Sequence, residues 1–438
     1  LSFALFFAQS FLLLFITAQL FRQTRSILPA RLFIPGLCLK ILAGWLVGFL
    51  YKYFYAGGDT FLYYQNALEL SDLFICDPLA YIKALAGLEE VSGLTLSNQP
   101  RAWLFARMAS LSAIGALDNY WLMSISFSWA SFLACWWFAA RLKAYFGLQS
   151  FQVCIPFLFF PSVIFWSSGL LKESITTVFI LYLIGFTLDI YKKGVSGQAR
   201  EMIKIIVGVM SAIMLWQLKY YYAAVLLPVI LIVIIMRWMR TQNIFSSSGM
   251  RFVVLASGLG IFTWIIMQAH PNLQPQRILH AIVRNHKLTV AASQINGYVS
   301  FSDLQPTWLS FIKHYPQAVF HGLFAPLPGV QGYSILHLVA GLENLCILLL
   351  SLFAVYNLLK NRSSKNHHAG LWVLCFLYII LLAGLITLAS PNFGSLLRYR
   401  VAYEPFWLLL VLLTFPRDLS LSFPRSRKKT YTNIQGER

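Results

Sequence analysis

The chain has 438 residues, of which 58% are hydrophobic, 16% aromatic and only 11% charged, with a mean hydropathy of +0.68. Soluble domains are roughly 25% charged, so a soluble enzyme, a disordered chain and a nucleic-acid-binding domain are all excluded. The net charge of +19 follows instead from where the basic residues sit relative to a membrane.

A helix needs about 20 apolar residues to cross the hydrocarbon layer. Eleven stretches are read as spans: 2–21, 33–55, 120–140, 149–168, 174–191, 203–218, 222–239, 252–269, 333–357, 370–389 and 396–415. Two more, 102–117 and 315–330, are apolar but ambiguous. Cytoplasmic loops are enriched in Lys and Arg, and this rule arbitrates. With both stretches non-spanning, the short loops near 22–31, 141–147, 192–204, 237–251 and 358–369, together with the tail, share one side. They carry 21 of the 34 basic residues. Were 102–117 to cross, the middle loops would flip and the rule would fail. Residues 102–117 are therefore predicted to form an interfacial helix, and 315–330 a re-entrant or interfacial segment. The expectation is an all-α, polytopic transmembrane helix bundle of about 11 spans. It is a single domain over 1–438, with extracytoplasmic loops at 56–118 and 270–332 and a basic cytoplasmic tail at 416–438.

Residues 1–21 lack a basic n-region and an A-x-A site, so they are expected to be a span and not a cleavable signal. Cys38, Cys135, Cys154, Cys346 and Cys375 lie in apolar runs and only Cys76 lies in a loop, so no disulfide framework is expected. No CxxC or HExxH metal spacing occurs.

The two long loops are where chemistry is expected, since long loops in a compact fold are usually functional. Near the first, residues 51–64 read YKYFYAGGDTFLYY. Gly57 and Gly58 suit a helix end, and Asp59 follows at the membrane surface. Asp59 reads two ways: as the N-cap of the next helix, or as a general base taking a proton from a substrate hydroxyl. Three amphipathic pieces follow near 60–72, 78–90 and 100–117, carrying Glu69, Asp72, Asp77, Glu89, Glu90 and Arg101. Most of these acids read as solvated faces. In FWSSGLLKESI, residues 165–175, Ser167, Ser168 and Gly169 loosen the end of one span and Lys172-Glu173 opens the next. Lys172 is either an interfacial anchor or a cation aimed at a lipid phosphate. Lys219, before three tyrosines, reads the same two ways.

In the second loop, Arg277, His280, Arg284 and Lys287 are spaced to share one helix face. That face would bind anionic lipid nonspecifically or grip a phosphate leaving group, for which Arg's planar fork is suited. Six of the eight histidines fall in 270–337, at spacings unlike zinc motifs. Near the C-terminus, Arg398 and Arg400 lie about 200° apart on a helix, so one is expected to line a cavity and the other to snorkel. Lys40, Glu343 and Glu404 lie in apolar surroundings and each needs a partner or a watery cavity.

These patches resemble the GT-C superfamily, integral-membrane glycosyltransferases that use polyprenyl-phosphate-linked sugars. The resemblance rests on the span pattern and three short elements. These are Asp59 after an early span, the W-S-S-G-x-x-K-[DE] element at Trp166 to Glu173, and the R-Y-x5-P element at Arg398, Tyr399 and Pro405. This chain has an extra span before the one preceding Asp59, Glu173 where Asp is more usual, and Ala402 where Pro is common. No second acidic residue adjoins Asp59, which counts against a metal-dependent, oligosaccharyltransferase-like site; the resemblance implies a polyprenyl-phosphate-linked sugar as donor substrate and no certain cofactor.

The resemblance implies a bacterial inner-membrane enzyme with its active face extracytoplasmic and its C-terminus cytoplasmic. It implies Asp59 as catalytic base and inversion at the anomeric carbon. Lys172, Glu173, Lys219, Arg277, His280, Arg284, Lys287, Arg398 and Tyr399 become candidates for holding the lipid-linked sugar or its phosphate. The partners implied are the lipid bilayer, the lipid-linked sugar donor and a glycan, lipid or protein acceptor. An O-antigen-type polysaccharide polymerase or ligase is the alternative, because it too carries a large late loop with Arg and His. A lipid or glycan transporter is a further reading, and so is a non-enzymatic assembly subunit.

Overall fold

The computed structural model describes the chain except residues 1, 56–57, 89–94, 195–197, 243–247, 276, 294–296, 330–334, 361–368 and 416–438. The basic tail from 416, together with Glu89 and Glu90, lies outside the described residues. Those described are helical, with one isolated antiparallel bridge between Tyr298 and Asn392.

Among the described residues, seven helices are long and apolar enough to cross a membrane. The first two are α1 (Ser2–Thr24) and α2 (Phe33–Tyr53). The next three helices, α3 (Gly58–Cys76), α4 (Pro78–Ala86) and α5 (Pro100–Ala113), form the first loop, close to the three amphipathic pieces read from sequence. α5 is 14 residues long, about 21 Å, too short for a layer of about 30 Å. It packs chiefly along α3 through Phe105, Ala106 and Ala109. Asp77 caps α4 by accepting from the amides of Leu79 and Ala80 at 3.1 and 3.0 Å, while Glu69 and Asp72 are exposed.

The spanning helices continue with α6 (Tyr120–Phe146), which packs against α2 and α9. The stretch 149–168, read as one span, is broken into α7 (Ser150–Cys154), a π-helical turn at Ile155–Phe159 and α8 (Pro161–Trp166). Pro156 and Pro161 each remove a backbone donor there, and proline inside a helix interrupts its ladder. Next come α9 (Lys172–Lys193) and α10 (Ala199–Gln242).

The last of these contains one non-helical residue, Lys219, with φ −145° and ψ 73°. Its two halves both lie along α9. Lys219 meets the start of α9 at Glu173, Tyr182 donates to the Lys204 carbonyl in the first half, and Arg237 in the second half donates to the Tyr191 carbonyl. The chain thus turns back at Lys219, as the two spans 203–218 and 222–239 predict.

α11 (Ser248–Ala269) ends at the second loop, which holds α12 (Ile278–Ala291) and α13 (Trp308–Phe324). Of the predicted segment 315–330, the described residues 315–329 are the second half of α13 plus a turn. The helix begins seven residues earlier than read, where Thr307 caps it by accepting from the Ser310 amide. α14 (Ile335–Lys360) and α15 (Ala369–Ala389) follow. The stretch 396–415, also read as one span, is broken into α16 (Phe393–Tyr399), a 3-10 turn at Arg400–Ala402 and α17 (Glu404–Leu413).

Large apolar side chains cover the outside: Phe3, Phe7, Phe11, Leu46, Leu349 and Leu359 are all exposed. Exposed apolar faces on this scale require a lipid solvent. The charged residues inside the bundle are partnered. Lys40 donates to Ser167 Oγ, and Glu343 accepts from the amide and hydroxyl of Ser162 at 2.9 and 3.1 Å. Arg400, 1% exposed, does not snorkel. It donates to Asn344 Oδ1 and the Ala325 carbonyl, and its Nη1 lies 3.8 Å from Glu404 Oε1. The broken helix around residues 400–403 turns its guanidinium inward, so burial with partners replaces the expected reach to the interface.

Candidate functional site

One cluster of charges gathers where α2, α3, α9, the turn of α10 and α16 meet. Its foundation is the WSSG element. After α8, Gly169 takes φ +72°, and a Cβ there would stand 3.0 Å from the Gly44 carbonyl oxygen. The Gly169 amide donates to Ser128 Oγ at 2.9 Å, and Thr60 donates to the Leu170 carbonyl at 2.9 Å. These bonds fix the turn that delivers Lys172 and Glu173 at the start of α9. Ser174 ties that start down by donating back to the Gly169 carbonyl at 2.9 Å.

Glu173 is 0% exposed and holds two cations. Lys219 Nζ lies 2.5 Å from its Oε1. Arg398 Nε lies 2.8 Å from its Oε2, an ion pair but out of line for a hydrogen bond. Arg398 Nη1 then donates to Tyr51 Oη at 2.9 Å and reaches Asp59 Oδ2 at 3.4 Å. Asp59 is the one open member, with its side chain 57% exposed against 12% for Arg398. Arg398 therefore bridges a buried carboxylate and an exposed one, and among the described residues its Nη2 has no partner.

Asp59 lies in the first turn of α3, which begins at Gly58. A carboxylate there is favoured by the helix dipole. Tyr399 carries Lys219 over its ring at 3.7 Å, and its carbonyl accepts from Tyr222 at 3.0 Å. Tyr63, whose hydroxyl is pushed up by burial and then by the Asp59 charge, stays neutral and has Lys172 Nζ over its ring at 4.9 Å.

Six of the sequence candidates thus come together: Asp59, Lys172, Glu173, Lys219, Arg398 and Tyr399. The other four do not join them. Arg277, His280, Arg284 and Lys287 do share a face of α12, and it is exposed, opposite buried Leu279, Val283 and His286. Sequence reading missed Tyr51 and Tyr63. Both lie in the aromatic-rich stretch around Asp59, but aromatic density alone did not separate a site residue from an interfacial belt. Among the described residues no group of three or more His, Cys, Asp or Glu is placed to hold a metal. The histidines of 270–337 are spread out. His286 faces the Leu388 carbonyl and His314 faces the Ser310 and Ser302 carbonyls.

Chemically, the cluster presents an accessible carboxylate with a guanidinium fixed beside it, at one end of an apolar bundle. No family model, no curated protein and no solved structure matches the chain.

Proposed function

We propose that the protein is an inverting glycosyltransferase of the GT-C type, moving a sugar from a polyprenyl-phosphate donor to an acceptor at the outer face of a bacterial inner membrane. What supports this reading is the pairing of exposed Asp59 with Arg398, itself anchored on buried Glu173. Asp59 takes the proton of an acceptor hydroxyl as that oxygen bonds the anomeric carbon. The bond from that carbon to the phosphate oxygen breaks, and the oxygen leaves with the electron pair. Arg398, through the Nη2 that no described residue occupies, meets the charge developing on the phosphate, and stabilisation of such charge is usually a large share of catalysis. Glu173 and Lys219 position Arg398 and do not touch substrate.

The positive-inside distribution supports the orientation, because it puts the Asp59 end outside and the basic loops inside. The exposed carboxylate and its arginine lie at that end, while Lys40, Glu343, Arg400 and Glu404 inside the bundle are tied to protein partners, which disfavours the transporter reading.

Mass spectrometry of envelope glycans and lipid-linked intermediates tests the proposal. A deletion strain is expected to lose one sugar, with rescue by wild type and none by Asp59→Asn at equal expression. Full rescue by the variant would remove Asp59 as the base. Accumulation of single repeat units without long chains would favour the polymerase.

A further inference from the structure

Beside the charged cluster lies a cavity of about 810 Å³, within the range of ligand sites. Its lining includes Arg101, Arg107, Lys172, Trp216, Tyr220 and His270, and no carboxylate among the described residues. Lys172 belongs to both places. Its ammonium lies over the Tyr63 ring at 4.9 Å beside the cluster, and it lines the cavity together with Arg101 and Arg107. The cluster is nearly balanced in charge, whereas the cavity is not.

Arg101 is held in an unusual way. Its guanidinium lies 4.5 Å over the Tyr220 ring, and His270 stacks on that ring at 3.9 Å with planes 7° apart. A stacked guanidinium keeps its in-plane N–H donors free, and among the described residues no protein acceptor takes them. His270 Nδ1 accepts from the Asn272 amide at 3.1 Å, which leaves the proton on Nε2. Burial and then the Arg101 charge hold the His270 pKa below its ordinary value, so the ring supports Arg101 as a neutral partner. Arg107 is anchored by donating to the Leu85 carbonyl at 3.1 Å. The first turn of α5, at Pro100 and Arg101, adds the positive end of a helix dipole. Trp216 supplies an aromatic wall. The volume is far larger than one phosphate needs, since a water occupies about 30 Å³.

We propose that this cavity seats an anionic saccharide, bearing carboxylate or phosphate groups, as the acceptor. Arg101, Arg107 and Lys172 meet its charges, and the saccharide runs toward Asp59. The inference rests on the transferase reading for the word acceptor, but binding itself does not require transfer.

The test is binding to the full chain in nanodiscs of zwitterionic lipid, by saturation-transfer NMR and calorimetry. The probes are tetragalacturonate and its carboxyl-reduced neutral counterpart. Tetragalacturonate is expected to bind about tenfold or more tighter than the neutral probe, a difference of one well-placed charge contact. Arg101→Gln is expected to remove most of that preference and Arg101→Glu to abolish binding. Arg101 is exposed, so neither variant should impair folding, which the thermal midpoint checks. Lys287→Gln, exposed on α12 and outside the cavity lining, should bind as wild type does.

Equal binding of both probes, no binding of either, or an unaffected Arg101→Gln would overturn the proposal. Displacement by inorganic phosphate at the same concentration would reduce the cavity to a plain anion site. Loss of binding when phosphatidylglycerol is added to the nanodisc would assign it to a headgroup. Either of those results also overturns the saccharide. Intact binding in a protein that transfers no sugar would sink the transferase reading and leave this one standing.

Discussion

Lys219 Nζ and Glu173 Oε1 lie 2.5 Å apart with both side chains almost sealed from solvent, at the point where α10 turns back on itself. One contact thus joins a topological feature to the site. The non-helical residue at the turn is also the cation that neutralises the carboxylate under Arg398. Breaking a buried pair leaves a bare charge and costs about 3–5 kcal/mol, whereas removing both partners is far cheaper.

Glu173→Gln strands both Lys219 and Arg398 and should lower the thermal midpoint most, Lys219→Met leaves Glu173 with Arg398 and should cost less, and the double variant should recover the Lys219 share of the Glu173→Gln loss. Contacting residues couple by about 0.5–3 kcal/mol in such a cycle, and this pair belongs near the upper end. Thermal unfolding of the four proteins in one detergent measures it. Strictly additive losses would mean that the contact carries no stability.

A second stability prediction concerns the WSSG turn. Gly44 of α2 faces Gly169 so closely that a Cβ on Gly44 would stand 2.9 Å from the Gly169 nitrogen and 2.1 Å from Ser128 Oγ. Gly169 itself needs φ +72°. Forcing a side chain into a packed crossing costs about 1–3 kcal/mol, and a left-handed conformation about 1–2 kcal/mol more for an L-residue. Gly44→Ala and Gly169→Ala should therefore both lower the midpoint. They should also lower transfer, because Lys172 and Glu173 follow directly. Gly260→Ala in α11 is the control, since nothing stands within 4 Å of its Cβ position. A variant of Gly44 as stable as that control would show that the crossing can spread without cost.

How far the sequence reached is clearest from the arginines. Arg398 could be found because a charge at a membrane edge is costly and short of explanations. Arg400 was misplaced because its partners, Asn344 and the Ala325 carbonyl, lie 56 and 75 positions away, and no local pattern records them. Helix existence was legible from apolar length, since about 20 apolar residues have few other uses. Helix breaks at 155–160 and 400–403 were not, because apolar content stays high across them while Pro156, Pro161 and the buried Arg400 redirect the backbone. Spacing placed the basic residues of α12 on one face, and they are on one face. It could not say what that face looks toward. Asp59, Glu173, Lys219 and Arg398 each drew attention singly; that they form one cluster depends on long-range contacts between four different helices.

The second loop should respond to acid through His286. This ring is buried in the face of α12 that packs on α15. Its Nδ1–H donates to the Leu388 carbonyl at 3.0 Å, and Phe301 stands edge-on to it. Burial, the largest influence, and the nearby His314 charge push its pKa below 6.5, while the bond to Leu388 opposes them. The folded state therefore favours the neutral ring more than the unfolded state does. The unfolded chain binds more protons as pH falls through about 6.5, so stability falls in the same direction. The contribution is complete above that pH and is lost progressively as pH drops toward and through the lowered folded value. Amide exchange across α12 measured at about pH 7.5 and about pH 5 should show faster opening in acid, after correction for intrinsic rates. His286→Gln, which keeps a donor and cannot titrate, should flatten the difference. An equal acid response in that variant would place the sensitivity elsewhere in the loop.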